Sequence, residues 1–311
     1  MASKHAFDLL VAGEINPDLI VSGDVVPVFG QVEKLVDSAV LTIGSSSAIF
    51  ACGAARLGLK VAFVGVCGED MFGKYMLAEL QEHGVDVSGV TMLPDQKTGL
   101  SIILARGSDR AILTFPGLIP SLSADAVTDN MLGRARHLHV ASYFLQTSLQ
   151  PGLPDLFTRA HALGLTTSLD PNWDPTNQWL GFEGLLKQVD VFLPNEKEAL
   201  ALTGTQNYES ACRKFSTSGR IVAIKLGAQG AISCHGEIIT CLPALPVDVV
   251  DTVGAGDSFD AGFLFGFLNG WKIERSLHLA IACGSLSTRA AGGTTSQPTL
   301  EEAMKYAPSI G

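Results

Sequence analysis

From Arg136 onward the chain alternates strand-like and helix-like stretches, and this alternation most narrows what it can fold into. His137–Ala141 reads as a strand, Pro154–Leu163 as a helix, and Thr166–Leu169 as a strand ending at Asp170-Pro171-Asn172. Val189–Phe192 (strand), Glu196–Leu202 (helix) and Ile221–Lys225 (strand) continue the series. Strands joined by helical crossovers pair in parallel. The spacing therefore predicts an α/β fold with a doubly wound, mostly parallel central sheet flanked by helices. Such sheets bind ligands at the carboxyl ends of their strands. With 311 residues, 47% of them hydrophobic, the chain can bury a core of that size.

The N-terminal part has a different texture. Phe7–Ala12 reads as the first strand and runs into Gly13-Glu14-Ile15-Asn16-Pro17-Asp18, which sets polar side chains at a sheet edge. The same residues are also ordinary turn chemistry. Ile20–Val26 and Lys34–Ile43 are strand-like and separated by Pro27 and Gly30; Thr98–Leu104 and Ala111–Phe115 form a second pair, with Gly107-Ser108-Asp109 as a hairpin turn. Helices do not separate the members of these pairs, which predicts a small antiparallel β lid. The core is then expected over 1–18, 44–94 and 117–311, and the lid over 19–43 and 95–116. Gly44-Ser45-Ser46-Ser47-Ala48 opens a helix closed by Gly58. Val61–Val66 is a strand followed by Gly68 to Tyr75, almost a phosphate-binding P-loop. Tyr75 stands where that loop needs a small hydroxyl for magnesium, so the P-loop is rejected.

Near the C-terminus the apolar run Cys241–Val250 leads into Asp251-Thr252-Val253-Gly254-Ala255-Gly256-Asp257-Ser258-Phe259. This predicts a strand, a glycine turn and a helix with Asp257 in its first turn. Gly254 and Gly256 let backbone N–H groups approach an anion, and the helix dipole favours negative charge there. A carboxylate beside an anion site could take a proton from a hydroxyl attacking a phosphate. Read blandly, the aspartate caps a helix and the glycines make a tight turn.

Composition removes other classes. A formal charge of -10 without a basic run argues against nucleic-acid or acidic-membrane partners. The six cysteines are scattered without a C-x-x-C pair and read as buried free thiols. The N-terminus resembles a strand rather than a signal peptide, and no run approaches a membrane span, so the expected location is the cytoplasm. His139 reads as a core histidine, and no metal-spaced His/Cys/Asp/Glu cluster appears.

The nine residues Asp251–Phe259 closely resemble the second signature of the ribokinase-like (PfkB) family of carbohydrate kinases, and the resemblance extends from Gly13 to the Gly292-Gly293 region. It implies an ATP-dependent kinase in which Asp257 is the base and Gly254, Ala255 and Gly256 form the anion hole. Leu193-Pro194-Asn195-Glu196-Lys197-Glu198 is similar to the family's Asn-x-x-Glu motif, implying that Asn195 and Glu198 stand near Mg2+. Lys225 and Gly227 fall where the family meets the nucleotide, although Lys225 reads equally as a solvated strand-end lysine. Asn16, Asp18, Gly44 and Ser45 match sugar-binding positions, Asp251 a potassium site, and the lid a homodimer contact. The chain departs from the family at Ser45 (for a second Gly), Ile49 (for Asn), Tyr143 (for Glu) and Asp174 (for Arg). These departures point to a neutral sugar or related polyol rather than a sugar acid or sugar phosphate. A nucleoside kinase of the same fold, or a non-catalytic sugar or nucleotide sensor, are the alternatives.

Overall fold

The computed structural model describes residues 5–106, 109–182, 184–216 and 219–307. Strand β1 (Leu9–Ala12) lies inside the main sheet, with Leu9 and Val11 packed in one core and Leu10 and Ala12 in the other. A strand covered on both faces needs such a continuous apolar run. β2 (Pro17–Ser22) and β3 (Ser38–Ile43) leave this layer. Helix α1 (Ser46–Arg56), β4 (Val61–Gly68), α2 (Met71–Glu82) and β5 (Asp86–Leu93) return to it. β6 (Leu100–Arg106) and β7 (Asp109–Phe115) leave it again. There follow α3 (Asp129–Leu132), β8 (His137–Val140), α4 (Leu153–Ala162), β9 (Thr166–Leu169) and β10 (Val191–Phe192). α5 (Glu196–Thr203), α6 (Tyr208–Phe215), β11 (Ile221–Lys225), β12 (Ala231–His235) and β13 (Ile238–Leu242) come next. α7 (Ala255–Leu268), α8 (Ile273–Ser287) and α9 (Leu300–Met304) complete the order.

The large sheet has nine strands in the order β13-β12-β11-β10-β9-β8-β1-β4-β5. Strands β11 through β5 pair in parallel, and β12 and β13 add an antiparallel edge. From β1 the chain builds outward to β4 and β5 on one side, then to β8 through β11 on the other. The order thus reverses between β1 and β8, and a crevice opens there beyond the strand ends.

β3-β2-β6-β7 make the second sheet. Its outer pairs are antiparallel and its middle pair, β2 with β6, is parallel. β2 begins at Pro17, so Asp18 belongs to this sheet rather than to the end of the core segment. Of the expected hairpin turn, Asp109 opens β7, whereas Gly107 and Ser108 lie outside the described residues. β3 starts at Ser38, and Lys34 instead pairs with Asp24 at 2.6 Å.

The strand expected over Cys241–Val250 is a correction. β13 stops at Leu242 and the backbone up to the glycine turn is irregular. Pro243 and Pro246 have no N–H to give a ladder, which ends the strand. Helix α7 is buried on nearly every side. It packs closely on α8 because Gly262 and Gly266 face it: an added Cβ would lie 2.9 Å from Ala280 Cα and 2.4 Å from Ser276 Oγ. No helix among the described residues is long and apolar enough to cross a membrane.

Candidate active site

The N-terminus of α7 faces the crevice. Gly254 caps it in the left-handed region at φ 71, where a side chain would also meet Gly293 Cα at 2.6 Å. Ser258 N–H makes an intrahelical bond, to Gly254 O at 2.9 Å, so the amides of Gly256 and Asp257 precede it. Free amides of this kind attract anions. Asp257 is the third residue of the helix and is 8% exposed.

Two cavities meet here. The first, of about 450 Å³, is polar and includes Asn16, Asp18, Ser45, Ile49, Asn195, Glu198, Gly254 and Asp257 in its lining. The second, of about 480 Å³, is bounded by Ala228, Ala244, Leu245, Val247, Phe259 and Ile281 among others, with Ala255 at its edge. Lys225, Gly227, Thr252 and Gly256 border both. The irregular segment after β13, wrongly expected as a strand, forms part of the second cavity's wall.

Lys225 is not a solvated strand-end lysine. Its Nζ lies 2.8 Å from Asp170 and 3.0 Å from Asp260, and both carboxylates are about 1% exposed. Burial alone would lower its pKa, but Asp170, Asp260 and Glu198 outweigh it and hold the ammonium charged. Asp257 is pushed well above the carboxylate range by burial and by Asp170, against the pull of Lys225 and a hydrogen bond from Ser46. Burial likewise raises Asp18 to about 7, with Arg110 opposing and Glu14 adding. Glu198 is raised to about 7 by burial and Asp170, opposed by Lys225 and by two hydrogen bonds from Asn195. Those two bonds, from Asn195 N at 2.8 Å and its Nδ2 at 2.5 Å, occupy both Glu198 oxygens in a capping box on α5. No group of three or more His, Cys, Asp or Glu residues that could hold a metal exists among the described residues. Asn195 and Glu198 border the polar cavity, where they fit a magnesium held through water.

Several polar groups behind Asp257 were not singled out from the sequence. Glu14, 3% exposed, accepts from Ser47 Oγ at 2.6 Å and Ser142 Oγ at 2.8 Å. Ser142 N–H donates to Asn172 Oδ1 at 2.7 Å, and Asn172 Nδ2 donates to Ser46 Oγ at 3.1 Å. Ser46 in turn hydrogen-bonds Asp257. Ser45, Ser142 and Asn172 all have positive φ, at 67, 52 and 53. Non-glycine residues rarely adopt that backbone, and their convergence here marks a site under constraint. Ser45 is held by donating to Glu14 O at 2.6 Å while capping α1 through Ala48 N–H.

Other expected residues lie elsewhere. Gly44 does not line either cavity; a Cβ on it would strike Asp18 Oδ1 at 2.2 Å, so its smallness lets the acid reach its place. Asp251 also lies outside the linings and accepts from Val253 N and Gly292 N, tying the glycine turn to the Gly292 loop. Asp174 accepts from the N–H groups of Thr176, Gln178 and Trp179, shaping a loop away from both cavities. Tyr143 packs against Phe144 and Phe182 and donates to Gly181 O at 3.3 Å. Neither Asp174 nor Tyr143 can therefore carry the charge argument made for them, and of the four departures only Ser45 and Ile49 line the cavity. His139 is a core residue, bonded to Ser168 at 2.7 Å and stacked on Phe50.

A doubly wound sheet with a small lid sheet, and a buried aspartate on a glycine-capped helix between two cavities, define a phosphotransferase-type α/β scaffold. The pattern of the pfkB family carbohydrate kinases matches residues 7–300, and the chain belongs to that family. It is 31% identical over 301 residues to an ATP-dependent ribose-1-phosphate kinase of Halopiger xanaduensis, covering 96% of this chain and 97% of that one. Among solved structures it is similar to a ribokinase-II chain of E. coli bound to ATP and Mg2+, at 26% identity and a TM-score of 0.86, covering 96% and 98% of the two chains. It is also similar to Arabidopsis thaliana ribokinase bound to ribose and ATP, at 26% identity and a TM-score of 0.82, covering 97% and 99%. The carbohydrate-kinase class expected from the sequence is thus the class found.

Proposed function

We propose that this carbohydrate kinase moves the γ-phosphoryl group of ATP to a hydroxyl of a neutral sugar or related polyol. The position of Asp257, lining the polar cavity beside the α7 amides and next to Gly256, which borders both cavities, carries the proposal. The acceptor occupies the polar cavity, where Asp18 and Asn16 accept and donate hydrogen bonds to neighbouring hydroxyls, with Ser45 nearby. The nucleoside end of ATP occupies the second cavity, and its phosphates pass Lys225 and Gly227 toward Gly254, Ala255 and Gly256. Asp257 takes the acceptor's O–H proton as the new O–P bond forms and the bond to the β-phosphate oxygen breaks, giving ADP and a phosphate monoester. Magnesium, when bound, would supply charge neutralisation on the phosphates, and Asn195 and Glu198 would hold it through water. Asp251 and the adjoining Gly292 loop are the place proposed for a potassium ion.

Neutrality of the acceptor rests on the acids that border its cavity, Glu14, Asp18, Asp170, Glu198 and Asp257, which outnumber its two cations, Lys225 and Arg110. They would repel a carboxylate or phosphate set deep among them. The test is ATP consumption by the purified protein against a panel of neutral sugars, cyclitols and nucleosides, with their acidic and phosphorylated counterparts. A neutral compound should be the best acceptor. Asp257→Asn should lower kcat ~100-fold or more while ATP still binds. Near-normal turnover in that variant would refute the role given to Asp257, and a phosphorylated best acceptor would refute neutrality.

A further inference from the structure

Arg110 is the lid's one cationic contribution to the acceptor cavity among the described residues. It stands on β7, where side chains alternate between two faces. Arg110, Ile112 and Thr114 line the cavity, as do Ser101 and Ile103 from β6, so the register of the lid sheet aims Arg110 inward. Its Nη1 reaches across 142 residues of sequence to Thr252 Oγ1, at 3.4 Å. Thr252 borders both cavities and comes two residues before the glycine that caps α7. At its other end the guanidinium is felt by Asp18, whose charge it stabilises.

The other cation of the cavity is already committed, since Lys225 is clamped between Asp170 and Asp260. No salt bridge joins Arg110 to a carboxylate among the described residues, and its long hydrogen bond to a hydroxyl leaves most of its donors free. A guanidinium is built to take two oxygens of a planar or tetrahedral anion at once.

We propose that Arg110 grips a phosphoryl group at the junction of the two cavities and so latches the lid over the reacting atoms. The inference rests on the kinase assignment of the site proposed above. The phosphoryl group has two sources, the γ-phosphate of ATP or a phosphate carried by the acceptor, and contact with Thr252 favours the first.

The experiment compares full-length wild type with Arg110→Ala and Arg110→Lys. Dissociation constants of a non-hydrolysable ATP analogue and of ADP are measured by calorimetry with Mg2+, together with kcat and KM on neutral and phosphorylated acceptors. Arg110→Ala should weaken the ATP analogue ~10-fold or more while ADP is unchanged, and should lower kcat on neutral acceptors ~100-fold with acceptor KM little moved. Arg110→Lys should recover part of both losses, because charge returns without the paired donors. A rise in KM confined to phosphorylated acceptors also supports the grip and identifies the acceptor's phosphate as its source. Analogue affinity, kcat and KM on both panels all within about twofold of wild type would overturn it. If wild type turns over no acceptor, the kinase assignment fails, and the analogue-against-ADP comparison still decides Arg110.

Discussion

A buried carboxylate acts as a base only where something steadies its charged form. At Asp257, burial and Asp170 work against that form, and Lys225 and the Ser46 hydroxyl work for it. Removing the hydroxyl in Ser46→Ala should therefore raise the Asp257 pKa further and free Asn172 from its partner. In the role proposed for Asp257 catalysis needs the deprotonated acid, so activity climbs with pH through this pKa. The acid limb of the kcat profile should shift to higher pH in Ser46→Ala, with kcat near neutral pH down ~10-fold and nucleotide affinity unchanged. Superimposable profiles would show that Ser46 does not act on the base. The place of Asp257 at a helix start was legible because the whole stretch Asp251–Phe259 resembles a family signature, whereas two glycines and an acid alone fit a simple helix cap equally well. Glu14 and Ser142 were not, since an isolated acid or serine says nothing until the backbone brings Ser142 to φ 52 beside Glu14. Asp174 misled for the converse reason: its position suggested a ligand contact, but its oxygens serve the backbone of its own loop.

At the scale of elements, the lid presents two unlike faces. Its inner face brings Asp18, Ser101, Arg110 and Thr114 to the cavity. On the other face Leu113 and Phe115 are exposed, and in the connection between β2 and β3 Phe29 is 96% exposed and Leu35 83%. Large apolar side chains left this exposed suit a contact surface. If two copies meet through their lids, Phe29→Asp combined with Leu35→Asp should convert a dimer to a monomer in sedimentation velocity. A wild type that sediments as a monomer at micromolar concentration would exclude this contact. The lid strands were legible because each β-branched pair came without an intervening helix. The apolar run Cys241–Val250 was not, because apolar residues that wall a cavity and those that fill a strand carry the same letters; the prolines at 243 and 246 were the available signal.

Across the whole molecule, two buried histidines tie stability to pH. Burial pushes His137 down to about 3 and His139 well below its usual value. The unfolded chain takes up these protons near pH 6.5 and the fold refuses them, so their contribution is present above 6.5 and is lost as pH falls toward 3. The limiting slope is ~1.4 kcal/mol per pH unit for each histidine. Asp18 and Glu198, raised to about 7, act in the opposite sense, keeping protons that the unfolded chain releases. Comparison with His137→Gln isolates the histidine share. Wild type should melt higher at pH 7.5, and the gap between the two thermal midpoints should narrow by pH 5. A gap constant across that range would mean that His137 is protonated in the fold. The order of the large sheet has a further consequence, for how the enzyme comes into being. Asn16 and Asp18 are made well before Asp257 and the Gly292 loop that braces Asp251. β1 cannot acquire its neighbour β8 until more than a hundred further residues have been made, and pairing over such distances is slow. A chain made only as far as β11 thus lacks Asp257 altogether, and recovery of activity during refolding reports the arrival of α7 against the lid and β1.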